Sequence, residues 1–265
     1  MAQFDIGPAD SIQYKHERPE RIGAPSFVFV NALTGNLNNW ESVVAPALRA
    51  EGFATLSYNL RGQDGSTFSP GTELTPALII DDLARLLDEV SVERPILVGL
   101  SIGGLFAAHA LLQGARAEGL VLFNTLREIG PRIAWVNDAM PLIVKTGGIG
   151  LFMDALLPLL VNQEFSQSVR SDCVKDDYQP LDPNHGHANL MRHASSADWD
   201  LPYEQLKLPT LVITGLQDRV FLDREVVDRL FARLPNGQAE FWENAGHLLP
   251  QERPDQLISS LSRFG

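Results

Sequence analysis

The sequence is poor in cysteine, with Cys173 alone among 265 residues. A single cysteine excludes an intrachain disulfide, and this usage is typical of proteins in a reducing compartment. The N-terminus also lacks a positively charged start followed by an apolar stretch, which is the pattern of a secretory signal. These two absences predict a cytoplasmic protein.

Positive charge is also scarce, since 21 Lys and Arg residues stand against 33 Asp and Glu residues and give a net charge of −12. Such a field repels phosphate backbones and anionic lipid surfaces, so neither nucleic acid nor membrane is an expected partner. The most apolar segment, residues 147–161, is too short to span a bilayer and is interrupted by Asp154 and Pro158. The hydrophobic fraction of 45% is nevertheless enough for a full core.

Cofactor and metal motifs are missing as well. The sequence has no Walker-type loop and no G-x-G-x-x-G after a strand-like run. His185 and His187 form the one pattern that invites a metal, but no third ligand follows at a suitable spacing. We therefore expect no cofactor and no metal, and a small molecule as the partner. The sequence carries no signal for an oligomeric state.

Short apolar runs alternate with helical patterns from Phe27 onward. The runs comprise residues 27–31, 54–58, 95–99, 120–124, 210–215 and 239–243. Strands separated by helices predict an α/β fold, with a mostly parallel central sheet and helices on both faces. In such sheets ligands bind beyond the carboxyl ends of the strands.

The alternation stops over residues 126–200, where short helical patterns are joined by polar loops. We expect this segment to form a helical cap over the carboxyl edge of the sheet. Residues 1–125 and 201–265 would then form the core domain into which the cap is inserted.

The strongest chemical motif is Gly99-Leu100-Ser101-Ile102-Gly103, which follows a strand pattern and opens a helix. This is the G-x-S-x-G nucleophile elbow, in which a tight turn presents the serine hydroxyl. The turn places that hydroxyl at a helix N-terminus, where backbone N–H groups favour developing negative charge. We therefore predict Ser101 as a nucleophile.

A serine hydroxyl needs a base, and six histidines compete for that role. His247 is favoured because it follows the last strand and so lies at the same sheet edge as Ser101. Asp218 follows the strand at 210–215 and completes the chain order Ser, Asp, His. These three residues are the predicted catalytic set.

The motifs at 99–104 (GLSIGG), 215–218 (GLQD) and 244–247 (NAGH) give the chain a clear resemblance to the α/β-hydrolase fold enzymes, in their capped, esterase-like branch. The resemblance covers the chain from Phe27 to the C-terminus. It implies an α/β-hydrolase fold with a helical cap, and an oxyanion hole formed by two backbone N–H groups. The corresponding donors here are the N–H groups of Leu33 and Ile102.

The sequence departs from the family pattern in two loops. Asn31-Ala32 stands where members usually carry His-Gly, and Ala32 fits only if its φ is negative. In residues 59–66 (NLRGQDGS), Gln63-Asp64 replaces a second His-Gly pair. Neither departure removes the nucleophile or its base.

The predicted function is a serine hydrolase that cleaves an ester or lactone through an acyl-enzyme. Thioester or carbon–carbon cleavage, cofactor-free halide or oxygen chemistry and a non-enzymatic receptor remain open alternatives. A haloalkane-type hydrolase is excluded because it needs a carboxylate at position 101.

The substrate pocket is predicted from the cap and from the loop after the first strand of the alternation. The candidate pocket residues are Asn31, Trp135, Met140 and His193. No Arg or Lys cluster marks an anionic substrate, since Arg127, Arg132 and Arg192 offer one contact each.

Overall fold

The computed structural model describes residues 1–19 and 21–265. Its described strands form one sheet in the order β1-β2-β4-β3-β5-β6-β7-β8. The strands are β1 (Ala2–Asp5), β2 (Ser11–Glu17), β3 (Ser26–Val30), β4 (Ala54–Tyr58), β5 (Pro95–Leu100), β6 (Gly119–Phe123), β7 (Thr210–Gly215) and β8 (Gly237–Trp242). The β1–β2 and β2–β4 pairs are antiparallel and the remaining pairs are parallel. The predicted α/β fold with a mostly parallel sheet is confirmed.

Helices connect the parallel strands and cover the sheet. They are α1 (Asn38–Glu41), α2 (Val44–Ala50), α3 (Pro76–Val90), α4 (Ile102–Leu112), α5 (Pro131–Leu160), α6 (Gln163–Val169), α7 (Gly186–His193), α8 (Arg224–Phe231), α9 (Leu249–Glu252) and α10 (Pro254–Phe264). The start of α3 has Thr75 as its N-cap, whose side chain accepts from the Leu78 N–H, with Pro76 in the first turn.

Both faces of the sheet are apolar, which explains the continuous apolar runs in the sequence. In β3, Phe27 and Phe29 pack in a cluster with α2 and α10, whereas Val28 and Val30 pack in a second cluster with α3, α4 and α8. Successive strand residues point to opposite faces, so each face needs its own layer of helices. The sheet is therefore buried between two helical layers.

The two N-terminal strands, β1 and β2, extend the sheet beyond the predicted alternation. In β2, Ile12 is fully buried while its neighbours are more exposed, and the strand pairs with β4 along its antiparallel edge. Because β2 buries only Ile12 fully, its apolar signal is weak. That is why the sequence pattern gave no strand before Phe27.

The segment between β6 and β7 contains α5, α6 and α7. Helix α5 is broken at Gly147 and Gly148, where φ is −144° and +70°. The cap domain over residues 126–200 stays a prediction, although its helices occupy this segment.

By length and composition α5 is able to cross a membrane, unlike the shorter apolar segment considered in the sequence. This is weak evidence for a membrane span, because the helix is broken and Met140, Phe152 and Met153 from its two halves line a cavity beside Ser101.

Candidate active site

Ser101 lies at the junction between β5 and α4, with φ of +56° and ψ of −122°. This backbone conformation is strained for a residue that carries a Cβ, and such strain is typical of functional turns. The flanking glycines are required by space: a Cβ at Gly99 would overlap the backbone of Gly104, and a Cβ at Gly103 would overlap the carbonyl oxygen of Val30. The sharp turn therefore exists only because both neighbours lack side chains.

His247 and Asp218 are paired. His247 Nδ1 lies 2.6 Å from Asp218 Oδ2, and both side chains are buried. Asp218 Oδ1 accepts hydrogen bonds from the N–H groups of Val220 and Phe221, each at 2.9 Å. Burial works to raise the pKa of the Asp218 carboxyl, but the His247 charge and hydrogen bond hold it below its ordinary value. Asp218 is therefore a fixed carboxylate that orients the imidazole through Nδ1.

Glu252, which the sequence did not single out, holds the loop that carries His247. Its carboxylate accepts from the N–H groups of Gly246 and Leu248, both at 2.8 Å, and of Asn162 at 2.7 Å. The Asn162 contact ties the end of α5 to the His247 loop. Glu252 is buried, so these charge-assisted hydrogen bonds fix the loop firmly.

A second positioning residue that the sequence did not identify is Asn124, directly after β6. Its Nδ2 donates to the carbonyl oxygens of Gly246 and His247, both at 3.0 Å, and its Oδ1 accepts from the Gly215 N–H. Asn124 therefore joins the ends of β6 and β7 to the loop that carries His247. The rule that sites form at the carboxyl ends of strands was the signal that could have found it.

The two residues expected to form the oxyanion hole, Leu33 and Ile102, line the cavity together with Ser101. Neither N–H donates a hydrogen bond to any residue that the structure describes. Among those residues, Ala32 is not one of the non-glycine positions with positive φ, so alanine is accommodated there without strain. The geometry is suited to binding an oxyanion at the start of α4.

The loop bearing Leu33 is pinned by Gln63. Gln63 Nε2 donates to the carbonyl oxygens of Ala32 and Leu33, at 2.8 and 3.2 Å. Gln63 Oε1 accepts from Asn31 Nδ2 at 3.0 Å and from the Leu60 N–H at 2.9 Å. Two hydrogen bonds from Gln63 therefore hold the backbone of the predicted oxyanion loop, and the two that it accepts hold the Gln63 amide itself.

The Ser101 hydroxyl has an unpredicted partner. Arg127 Nη2 donates to Ser101 Oγ at 2.8 Å and to the Asn124 carbonyl oxygen at 2.6 Å. Among the described residues, no hydrogen bond joins Ser101 to His247, although both line the same cavity. Burial lowers the pKa of Arg127 to about 10, so the guanidinium remains protonated at neutral pH.

Of the four predicted pocket residues, the structure places Met140 along the cavity that contains Ser101. The other three lie elsewhere, which corrects the prediction. Asn31 is buried and turns inward, where its Oδ1 accepts from Trp40 Nε1 at 2.7 Å. Trp135 is 79% exposed on the outer side of α5, and His193 lines a separate groove beside Phe68. The positions of Trp135 and His193 depend on the rotation of α5 and α7, which the sequence does not define.

Within residues 1–19 and 21–265 there is no group of three or more His, Cys, Asp and Glu side chains arranged to hold a metal. The His185 and His187 rings stack at 5.6 Å, and His187 Nδ1 bonds to the Leu33 carbonyl oxygen at 3.0 Å. His187 thus contacts the predicted oxyanion loop.

Comparisons with known proteins agree with the fold. Residues 25–254 match the family model of the alpha/beta hydrolase fold. The chain is 26% identical over 245 residues to 3-oxoadipate enol-lactonase 1 of Acinetobacter baylyi, covering 91% of this chain and 88% of that protein.

Two solved structures are similar in fold. The enol-lactonase of Burkholderia xenovorans LB400 has a TM-score of 0.79 at 24% identity, with 96% of each chain covered. A thermophilic esterase of Thermogutta terrifontis has a TM-score of 0.76 at 22% identity, covering 96% of this chain and 93% of the other. At these identities the likeness shows the fold.

Proposed function

Since this chain belongs to the alpha/beta hydrolase fold family, we propose that it is a serine hydrolase that cleaves a carboxylic ester or lactone through an acyl-enzyme on Ser101. The single observation that carries the proposal is the strained Ser101 turn, which opens into the same cavity as the imidazole of the His247–Asp218 pair. The relatives named enol-lactonase and esterase support the same class of bond.

In the proposed mechanism, His247 Nε2 takes the proton of Ser101 Oγ as the oxygen attacks the carbonyl carbon. The Leu33 and Ile102 N–H groups donate to the oxyanion of the tetrahedral intermediate. His247 then gives its proton to the leaving alkoxide as the carbon–oxygen bond breaks. In the second half, His247 deprotonates water, which attacks the acyl-enzyme and releases the acid and the free serine.

Asp218 serves this cycle by keeping the proton of the neutral imidazole on Nδ1 and by stabilising the imidazolium that forms. Its anionic state is secured by the two backbone N–H groups at Oδ1 and by the low pKa of its carboxyl. The Ser101–His247 hydrogen bond must form when substrate arrives, with the Ser101 hydroxyl, which accepts from Arg127 in this structure, donating to His247 Nε2. Catalytic hydrogen bonds commonly tighten only in the substrate complex.

Two experiments test the proposal. Turnover of a panel of alkyl esters, lactones and thioesters is measured for the wild type and Ser101→Ala, and a fluorophosphonate probe is used to label the active serine. We expect steady multiple turnover of an ester or lactone by the wild type, labelling at Ser101, and a loss of kcat of about 10⁴-fold or more in Ser101→Ala. Ser171→Ala, an exposed cap serine, is the matched control.

Wild-type rates in Ser101→Ala would overturn the proposal. Labelling of Ser101 once per chain with no turnover of any panel member would favour a receptor. Turnover of the thioesters alone would move the protein to the thioesterase class.

A further inference from the structure

Arg127 is a buried cation that forms no ion pair of its own with the described residues; the Asp218 carboxylate stabilises its charge without pairing with it and is itself paired with His247. The Arg127 side chain is 4% exposed, and none of the ion pairs formed by the described residues includes it. Its Nη2 donates to two neutral oxygens, and its Nε is buried with no hydrogen-bond partner in the described chain. A buried charge is normally paired, because desolvation costs several kcal/mol. An unpaired one therefore points to a ligand that supplies the opposite charge.

Two aromatic rings hold this cation in the cavity. The guanidinium carbon lies 4.7 Å from the centre of the Trp199 ring and 4.5 Å from that of the Phe221 ring. All three side chains line the cavity beside Ser101. Ring faces attract the cation but leave its N–H groups unsatisfied. The guanidinium is thus held in place while some of its N–H groups remain free to donate to a ligand.

The sheet order separates Arg127 from the predicted oxyanion hole. Leu33 follows β3 and Arg127 follows β6, on opposite sides of β5, which carries Ser101. An oxyanion bound to the Leu33 and Ile102 N–H groups would therefore lie on the other side of Ser101 Oγ. Arg127 is placed to contact the substrate chain that extends from the carbonyl, rather than the oxyanion itself.

The number of positive charges in the cavity limits the charge of the anion that it can bind. Arg127 and His247 are the basic residues that line it, and no lysine does. One planar guanidinium matches the charge and the two-oxygen fork of a carboxylate, whereas a phosphate dianion would need further cations.

We propose that Arg127 is the specificity determinant of this site and binds a carboxylate on the substrate, only a few bonds from the scissile ester or lactone carbonyl. This inference rests on the proposed function. The substrate carboxylate must lie close to the scissile carbonyl, because the guanidinium that binds it also contacts Ser101 Oγ at 2.8 Å. The carboxylate replaces the neutral hydroxyl as the partner of Arg127, and the freed Ser101 hydroxyl then donates its hydrogen bond to His247 Nε2. Substrate binding and activation of the serine are thereby coupled.

The test compares esters that differ only in a carboxylate replacing a methyl group. The pairs are monoethyl malonate with ethyl propanoate, monoethyl succinate with ethyl butanoate, monoethyl glutarate with ethyl pentanoate, and O-acetylglycolate with ethyl acetate. The last pair carries the charge on the alcohol side. Proton release under pH-stat gives kcat and KM for the wild type, Arg127→Met, Arg127→Lys and the control Arg132→Met, which changes an exposed cap arginine.

We expect the wild type to prefer the carboxylate member of at least one pair, by about tenfold or more in kcat/KM. Arg127→Met lowers that preference by about tenfold or more, chiefly through KM, because a charge-assisted bidentate contact is lost. Arg127→Lys restores part of it, and Arg132→Met leaves it as in the wild type. A wild type that treats both members alike or favours the neutral ester in every pair overturns the inference, as does an equal change in Arg127→Met and Arg132→Met.

A binding measurement separates this inference from the proposed function. Calorimetric titration with succinate and glutarate reports on Arg127 without turnover, and we expect binding by the wild type and Arg132→Met but not by Arg127→Met. Circular dichroism melting checks that each variant is folded. Ester hydrolysis with no carboxylate preference and no diacid binding would refute the role of Arg127 and leave the serine hydrolase intact. Diacid binding without labelling or turnover at Ser101 would refute the hydrolase and leave the anion site.

Discussion

Asn31 Nδ2 donates a hydrogen bond to Gln63 Oε1 across 3.0 Å, inside the protein. These are the two positions at which the sequence replaces the histidines of its family pattern. The two departures from the family pattern are therefore linked: the side-chain amides of Asn31 and Gln63 connect the predicted oxyanion loop to the loop after β4. Asn31 extends the network inward to Trp40 Nε1, and Gln63 extends it to the carbonyl oxygens of Ala32 and Leu33.

Gln63→Leu should weaken the catalytic step more than substrate binding. The substitution removes four hydrogen bonds, so the Asn31 amide loses one of its partners and the Leu33 carbonyl oxygen keeps only His187. The Leu33 N–H is then less firmly directed. We expect a fall in kcat of about tenfold to 100-fold, since loss of a whole oxyanion donor costs more. We also expect a free energy of unfolding lower by about 2–3 kcal/mol. Ester kinetics and urea unfolding measure the two effects.

A double-mutant cycle tests the pairing itself. Asn31→Ala and Gln63→Ala should be non-additive, with a coupling energy of about 1–2 kcal/mol, because each single change already breaks the shared bond. Gln113→Leu, at the exposed end of α4, is the control and should change neither kcat nor stability. Additive single changes at 31 and 63 would show that the two amides act independently.

The parts of the site that were predictable are those that local sequence dictates. The Ser101 turn requires glycines at 99 and 103, and that demand is visible in five consecutive letters. The strands of the parallel sheet are visible because both their faces are buried. Arg127, by contrast, is identified as a site residue by its contact with Ser101, which lies 26 positions away in the sequence. Nothing near Arg127 in sequence distinguishes it from an exposed arginine, because its partners are assembled only by the order of the strands.

Asp218→Asn should remove most activity while the fold is kept. An asparagine Oδ1 still accepts from the Val220 and Phe221 N–H groups, but its Nδ2 donates towards His247 Nδ1 and favours the wrong tautomer. We expect kcat to fall by about 10³–10⁴-fold, and fluorophosphonate labelling of Ser101 to slow in parallel.

Asp223→Asn is the matched control for that substitution. Asp223 caps α8 by accepting from the Val226 N–H, and asparagine caps a helix equally well. Its kcat should equal that of the wild type. Equal kinetics in Asp218→Asn and the wild type would exclude Asp218 as the partner of the base.

Glu252→Gln tests the support of the His247 loop. A neutral amide keeps one acceptor oxygen but turns an NH₂ group towards a backbone N–H, at a side chain that is 5% exposed. We expect the free energy of unfolding to fall by about 2–3 kcal/mol. We also expect kcat to fall by about tenfold, because His247 is held less firmly.

The same substitution at Glu164 provides its control, since that carboxylate is exposed and pairs with Arg253 at the surface. Glu164→Gln should change stability by about 0.5 kcal/mol or less. If the two variants lose equal stability, the buried carboxylate has no special part in the loop.

His187 makes the stability of the protein depend on pH. Burial lowers its pKa below the ordinary 6.5, so the folded chain keeps the imidazole neutral where the unfolded chain binds a proton. The free energy of unfolding therefore falls as the pH drops below about 6.5, by at most about 1.4 kcal/mol per pH unit until the folded pKa is reached. His187→Asn abolishes this contribution but keeps a donor for the Leu33 carbonyl oxygen. Its urea midpoint should therefore decline less from pH 7 to pH 5 than that of the wild type. His193→Asn, in the same helix α7, is the control, and its urea midpoint should decline as in the wild type. If the midpoint of His187→Asn declines as steeply, the acid sensitivity belongs to another group.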